Sequence, residues 1–189
     1  PIALNTATLK QVDAVILDER AWSSLGPAQR AALAEAVRNG LGLVIRVTAA
    51  LSDGERQRLR ALGFDVSDGR DAAQVRLSQV RHDDDALRAR IGPGTRDQSR
   101  RDTDAIPDAP ELTQRTLRIA ASDAVPLLRD DANAPLAVWR AEGRGRIALW
   151  TLTDTYRLVL AGRDDLHAET WSTVLMTIAR PRAGNAVAI

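Results

Sequence analysis

Residues 12–47 constrain the fold more than any other part of this chain, because they spell out a strand, a helix and a second strand with short connections. Ala14-Val15-Ile16-Leu17 is an apolar, partly β-branched run that gives way to Asp18-Glu19-Arg20, as a buried parallel strand does where it reaches the rim of its sheet. Gly26-Pro27 opens the helix, since proline at the first helical position lacks only an N–H that would have no partner there. Leu33, Ala36 and Val37 give that helix one apolar stripe, while Arg30, Glu35 and Arg38 face elsewhere. Asn39-Gly40 stops it, glycine supplying the left-handed C-terminal cap. Leu41-Gly42-Leu43-Val44-Ile45 follows as a second buried strand. A strand, helix, strand order of this kind implies a right-handed parallel crossover, the core of a doubly wound sheet.

A length of 189 residues with 44% hydrophobic content suits one domain with a proper core. The expected organisation is therefore a single domain over 1–189 with a loop-rich insertion around 81–111. Lys plus Arg number 26 against 25 Asp plus Glu, so the net charge is only +1. The basic residues alternate with acids and form no stripe for tracking phosphates, which argues against nucleic acid as a partner. No apolar run approaches the roughly 20 residues that span a bilayer, and no signal peptide is visible; direct membrane insertion by this segment is not expected. Pro1 at the start and Ala186-Val187-Ala188-Ile189 at the end are read as marking a piece of a longer protein. There is no cysteine, which excludes a disulfide framework and thiolate zinc sites.

Further along, Ser52 and Glu55 have capping-box spacing for a helix running to about Leu62. Phe64-Asp65-Val66 reads as a short strand, and 74–80 as a separate edge or insertion strand by its period-two alternation. Asp85 is suited to cap a short helix over 86–91. Residues 92–110 hold two glycines and three prolines and read as a long loop, either a lid or a tolerated insertion. Residues 112–121 resume strand-like alternation. Leu136-Ala137-Val138-Trp139 and Ile147-Ala148-Leu149-Trp150 flank Glu142-Gly143-Arg144-Gly145 as a β-hairpin. Gly143-Arg144-Gly145-Arg146 lacks the following helix that a phosphate cradle needs. Asp154 is read as the cap of a short helix to Ala161, and a final helix over 165–179 is expected to bury Trp171, Val174, Leu175 and Ile178.

The Asp13-Ala14-Val15-Ile16-Leu17-Asp18 strand, the helix ending Asn39-Gly40-Leu41-Gly42-Leu43, and Gly143-Arg144-Gly145-Arg146-Ile147 followed by Thr153-Asp154 and a Trp-bearing terminal helix together resemble the class I glutamine amidotransferase-like domains of large bacterial membrane-associated proteins. The resemblance covers about half the chain. It implies an α/β fold of flavodoxin-like type, a three-layer sandwich with a mostly parallel sheet and a C-terminal antiparallel hairpin. It also implies an extracytoplasmic setting, with other domains of the parent chain or envelope proteins as partners.

Catalytic members of that superfamily carry a cysteine after a central strand and a His-x-Glu pair after a later one. Here Thr48-Ala49-Ala50 and Thr151-Leu152-Thr153-Asp154 occupy those turns. A threonine hydroxyl needs an adjacent base to act as a nucleophile, and none is evident nearby in the sequence. His167-Ala168-Glu169 has the His-x-Glu spacing, but residues two apart on a helix point about 200° from each other, so Glu169 reads as solvent-facing and His167 as a partly packed helical histidine at the edge of the buried stripe. Asp83-Asp84-Asp85 and Asp164-Asp165 lack the spaced oxygens of a calcium loop, and no metal or cofactor is expected.

Open α/β sheets bind ligands at the carboxyl ends of their strands. The candidate ligand-binding residues are therefore Asp18, Glu19, Arg20 and Trp22 after the first strand, Arg46 and Thr48 after the second, and Thr153, Asp154, Tyr156 and Arg157 after the hairpin. The expected function is a non-catalytic amidotransferase-like binding or interaction module. Two alternatives stand beside it: a hydrolase or transferase using Asp18 or Asp154 as general base, and a structural spacer whose strand ends pair among themselves.

Overall fold

The computed structural model describes residues 4–77 and 109–180. In chain order the elements are α1 (Thr6–Lys10), β1 (Ala14–Asp18), α2 (Glu19–Ser24), α3 (Pro27–Arg38), β2 (Gly42–Arg46), α4 (Asp53–Ala61), β3 (Asp65–Val75), β4 (Leu112–Ala120), β5 (Val125–Arg129), β6 (Pro135–Glu142), β7 (Gly145–Trp150), α5 (Tyr156–Leu160) and α6 (Asp164–Ile178). The readings of a helix over 86–91 and a loop over 92–110 fall outside the described residues, apart from 109–110.

The strand–helix–strand unit forms as its sequence dictates. β1 and β2 pair in parallel from Ala14 opposite Gly42 to Asp18 opposite Arg46. Between them α3 begins at Pro27 and buries Leu33 and Val37. β7 then joins β2, also in parallel, with Arg46 opposite Trp150. β6 and β5 extend the sheet antiparallel, in the order β1-β2-β7-β6-β5. The predicted hairpin is β6 and β7, closed by Glu142 opposite Gly145. Gly145 is required there by space, because a Cβ would run into the carbonyl oxygens of Val37 and Leu41. The result is a mixed α/β fold with a parallel central core, as the sequence implied at that coarse level.

Helices lie on both faces. Leu43, Ile45, Ile147 and Leu149 meet Leu9, Trp22, Leu33, Val37 and Leu59 from α1 to α4. On the opposite face Val44, Ala148 and Trp150 meet Leu158 of α5 and Leu166, Val174 and Ile178 of α6. Trp150 is fully buried and stacks on Trp171, ring centroids 4.6 Å apart and planes 16° from parallel.

Several expectations need correction. Residues 65–66 and 74–75 belong not to two strands but to one long β3, which bulges between Asp68 and Ala72 and pairs antiparallel with β4 in a separate sheet. The segment after β1 is no loop: Asp18 accepts from the Ala21 N–H at 2.7 Å and caps α2, which turns Trp22 into the core. Leu175 is 38% exposed, and its place in the buried stripe of α6 is taken by Thr170 and Leu166. A four-residue repeat from 166 to 178 faces the sheet, and Leu175 sits about 100° beyond it.

Candidate functional site

At the rim of the sheet, β2 and β7 are neighbours whose connections leave toward opposite faces. After β2 the chain passes to α4, whose Leu59 packs with α3; after β7 it passes to α5 and α6 on the other side. Such a divergence opens the crevice in which α/β sheets bind ligands. Here the start of β4 fills it. The Arg115 N–H donates to the Thr151 carbonyl at 2.9 Å, the Thr153 N–H donates to the Thr113 carbonyl at 2.9 Å, and Gln114 and Leu152 form a β-bridge.

The candidate residues respond to this filling one by one. Asp154 does not cap α5, whose N-cap is Thr155 with no side-chain bond. Its carboxylate instead accepts from the Thr113 N–H at 2.7 Å and the Thr113 hydroxyl at 2.8 Å, with Arg157 3.5 Å away. The Thr153 hydroxyl donates to the same Thr113 carbonyl at 3.2 Å. A carboxylate facing two donors from one residue has found a better-matched partner than a single helix-end N–H, which is why tertiary pairing overrides the capping reading.

Glu19 is 3% exposed. It accepts from the Thr48 N–H at 2.8 Å and the Thr48 hydroxyl at 2.9 Å, and Arg115 Nε donates to the Thr48 carbonyl at 3.1 Å. The turn after β2 is thus clamped from both sides. This corrects the sequence reading that no base lies near Thr48, since Glu19 arrives from 29 residues earlier in the chain.

Arg46 lies beside Asp18 in register, but the Asp18 carboxylate is committed to α2. The Arg46 guanidinium sits 5.8 Å from the Trp171 ring centre and its Nη2 is 3.5 Å from the Thr153 carbonyl. Its Nε is buried without a hydrogen-bond partner among the described residues. A cation over an aromatic face gains about 0.5–2 kcal/mol, so Trp171 supplies part of what a carboxylate would.

Glu19 with Thr48, Arg46 with Thr153, and Asp154 with Arg157 are therefore brought together at the rim. Arg20 and Tyr156 are exposed, Tyr156 at 60%, and Trp22 is core on the α3 face. Sequence reasoning missed Thr113 and Arg115. Their segment was legible as a strand, but no local signal says which sheet rim a strand will reach. Among the described residues no three His, Cys, Asp or Glu side chains could hold a metal ion, and no helix is long and apolar enough to cross a membrane.

No protein-family model and no curated protein matches the chain. Among solved structures it is similar to two Salmonella typhimurium proteins described as cytoplasmic, STM3548 and STM1381. STM3548 has a TM-score of 0.62 at 17% identity, over 96% of this chain and 77% of that one. STM1381 has a TM-score of 0.60 at 16% identity, over 95% and 77%. An exo-β-1,4-mannosidase from Opitutaceae bacterium strain TAV5 covers 92% of this chain at a TM-score of 0.49, with 26% of its own length matched. These likenesses concern the α/β fold; at such identities they carry no activity across.

Proposed function

We propose that this domain is a non-catalytic binding or interaction module, built on a flavodoxin-like, amidotransferase-like plan from which the reactive groups have gone. The observation that carries the reading is the occupied crevice: β4 supplies donors to the groups that a substrate would otherwise meet. Asp18 and Asp154, the carboxylates a relocated hydrolase would use as general bases, each accept from a backbone N–H. A general base must instead reach the proton it abstracts. On this reading the partners are other domains of a parent chain or envelope proteins, as the amidotransferase-like resemblance implies. An extracytoplasmic setting rests on that resemblance alone, and the two Salmonella proteins, described as cytoplasmic, weigh the other way.

One observation favours a second, catalytic reading. Thr48 and Glu19 have the separation of an activated hydroxyl and its base. Against it, Glu19 also holds the Thr48 N–H, so the pair serves equally as a clamp on the turn.

The test is a thermal-shift screen of the purified domain against glutamine, other amino acids, nucleotides, sugars and divalent metals, run beside hydrolysis assays on glutamine and activated acyl esters. Ligand at about 100 times its Kd adds about 2.7 kcal/mol of stability. We expect no turnover, and any stabilising ligand to lose its effect in Arg46→Met. Turnover that Thr48→Val abolishes would replace the module with a catalyst.

A further inference from the structure

The start of β4 is held at the rim as a receptor holds an extended peptide. The N–H, hydroxyl and carbonyl of Thr113 all meet the two residues Thr153 and Asp154. The N–H and hydroxyl donate to the Asp154 carboxylate at 2.7 and 2.8 Å, and the carbonyl accepts from the Thr153 N–H at 2.9 Å and the Thr153 hydroxyl at 3.2 Å. One residue earlier, Leu112 is completely buried in the cluster of Val44, Trp150 and Leu152. Two residues later, Arg115 donates its N–H to the Thr151 carbonyl at 2.9 Å and its Nε to the Thr48 carbonyl at 3.1 Å. Main-chain bonds that suit any sequence, with side chains read at alternate positions, are the features of recognition by strand addition.

The contact is also separable from the sheet that it meets. β4 pairs with β3 in a sheet of its own and reaches the end of β7 through the bridge of Gln114 to Leu152. Thr113, Gln114 and Arg115 are each half-buried. The central sheet is closed at this rim by other bonds: the Val47 N–H donates to the Trp150 carbonyl at 2.8 Å, and the Thr151 N–H to the Leu136 carbonyl at 3.1 Å.

We propose, resting on the binding-module reading above, that the rim is a peptide site and that Leu112-Thr113-Gln114-Arg115 is an internal occupant that keeps it shut. The partner it fits is an extended segment of another polypeptide, with an apolar residue, then threonine or serine, then any residue, then arginine. A tethered occupant competes at an effective concentration on the order of millimolar, and a site open only part of the time binds with its affinity reduced by that fraction. The resting chain therefore binds such a segment weakly, and loosening the occupant strengthens binding.

Fluorescence anisotropy with a labelled peptide of residues 111–116, Glu-Leu-Thr-Gln-Arg-Thr, tests this on the 189-residue chain. Thr113→Val takes the hydroxyl donor from the occupant but not from the peptide, and should bind the peptide at least tenfold more tightly than the parent. Adding Asp154→Ala should lose that gain, and so should a peptide with valine in place of its first threonine. A folded Thr113→Val chain without the gain, or a gain indifferent to Asp154→Ala, would overturn the proposal. If Thr113→Val does not fold, hydrogen exchange in the parent decides. The Arg115 and Thr153 amides, bonded across the contact, should exchange at least tenfold faster than those of Val47 and Thr151; equal rates would make β4 an integral strand and overturn the proposal as well. Failure on either count leaves the module reading standing, because turnover and the Arg46→Met response decide that one.

Discussion

The rim at the end of β2 and β7 and the outer edge of β1 belong to one sheet, yet they end in opposite ways. At the rim, donors from β4 reach Thr151, Asp154 and, through Arg115, Thr48, and the polar groups of the crevice are largely consumed within the protein. At the edge, among the described residues, β1 has β2 as its one strand neighbour and Ile16 is exposed. Polar groups at a rim can be satisfied by one crossing strand, whereas an open edge calls for a further strand in register. The rim is where such folds ordinarily work, and here β4 occupies it.

Substitutions graded across the two regions sharpen that contrast. Trp150→Ala empties the wall behind the crevice, from a fully buried ring stacked on Trp171, and should cost about 3–5 kcal/mol in urea denaturation. A smaller loss would mean that α6 collapses into the space. Glu19→Ala removes the acceptor for both Thr48 donors and should cost about 3 kcal/mol, since bonds to a charged group contribute about 1.5–3 kcal/mol. Asp154→Ala frees Thr113 and should cost about 2 kcal/mol by the same bonds. A near-neutral result at Glu19 and Asp154 would break the picture of a crevice held shut by them.

Ile16→Thr at the edge is expected to shift stability by less than about 0.5 kcal/mol in the same denaturation, as for an exposed position.

The smallest effect expected is one of pH. Desolvation raises the Glu55 pKa, but bonds from the Ser52 hydroxyl and backbone and from Ser23, with the nearby Arg58 charge, outweigh it and hold the carboxyl below its ordinary value of 4.5. A lowered folded pKa stabilises above the unfolded value and loses that contribution as pH falls through the folded one. Glu55→Gln should therefore lower stability near pH 7, where the ionised carboxylate contributes fully, and converge on the parent as pH falls below about 4.5, which flattens the acid limb measured by thermal denaturation.

How far the sequence could be read depended on the range of the forces involved. The Ser52 and Glu55 capping box forms as spaced, α3 starts at Pro27 and stops before Gly40 at a φ of 110°, and His167 and Glu169 lie on one helix, α6, as their context implied. Asp18, read as a candidate ligand-binding residue, caps α2, a helix that Glu19-Arg20-Ala21-Trp22 permits because it carries no breaker and that buries Trp22. Of the candidate site, the strand-end residues were found by topology, while their partners were not.

The sequence by itself determined the strand–helix–strand unit, the Ser52–Glu55 capping box and the β6–β7 hairpin, since helix period, strand period and end caps act within a few residues. Only the tertiary structure decided that Glu19 would clamp Thr48 across 29 residues and Asp154 would hold Thr113 across 41. Strand order and register choose those partners, and an aspartate before a helix carries the same local signature whether it caps that helix or turns to a strand arriving from elsewhere.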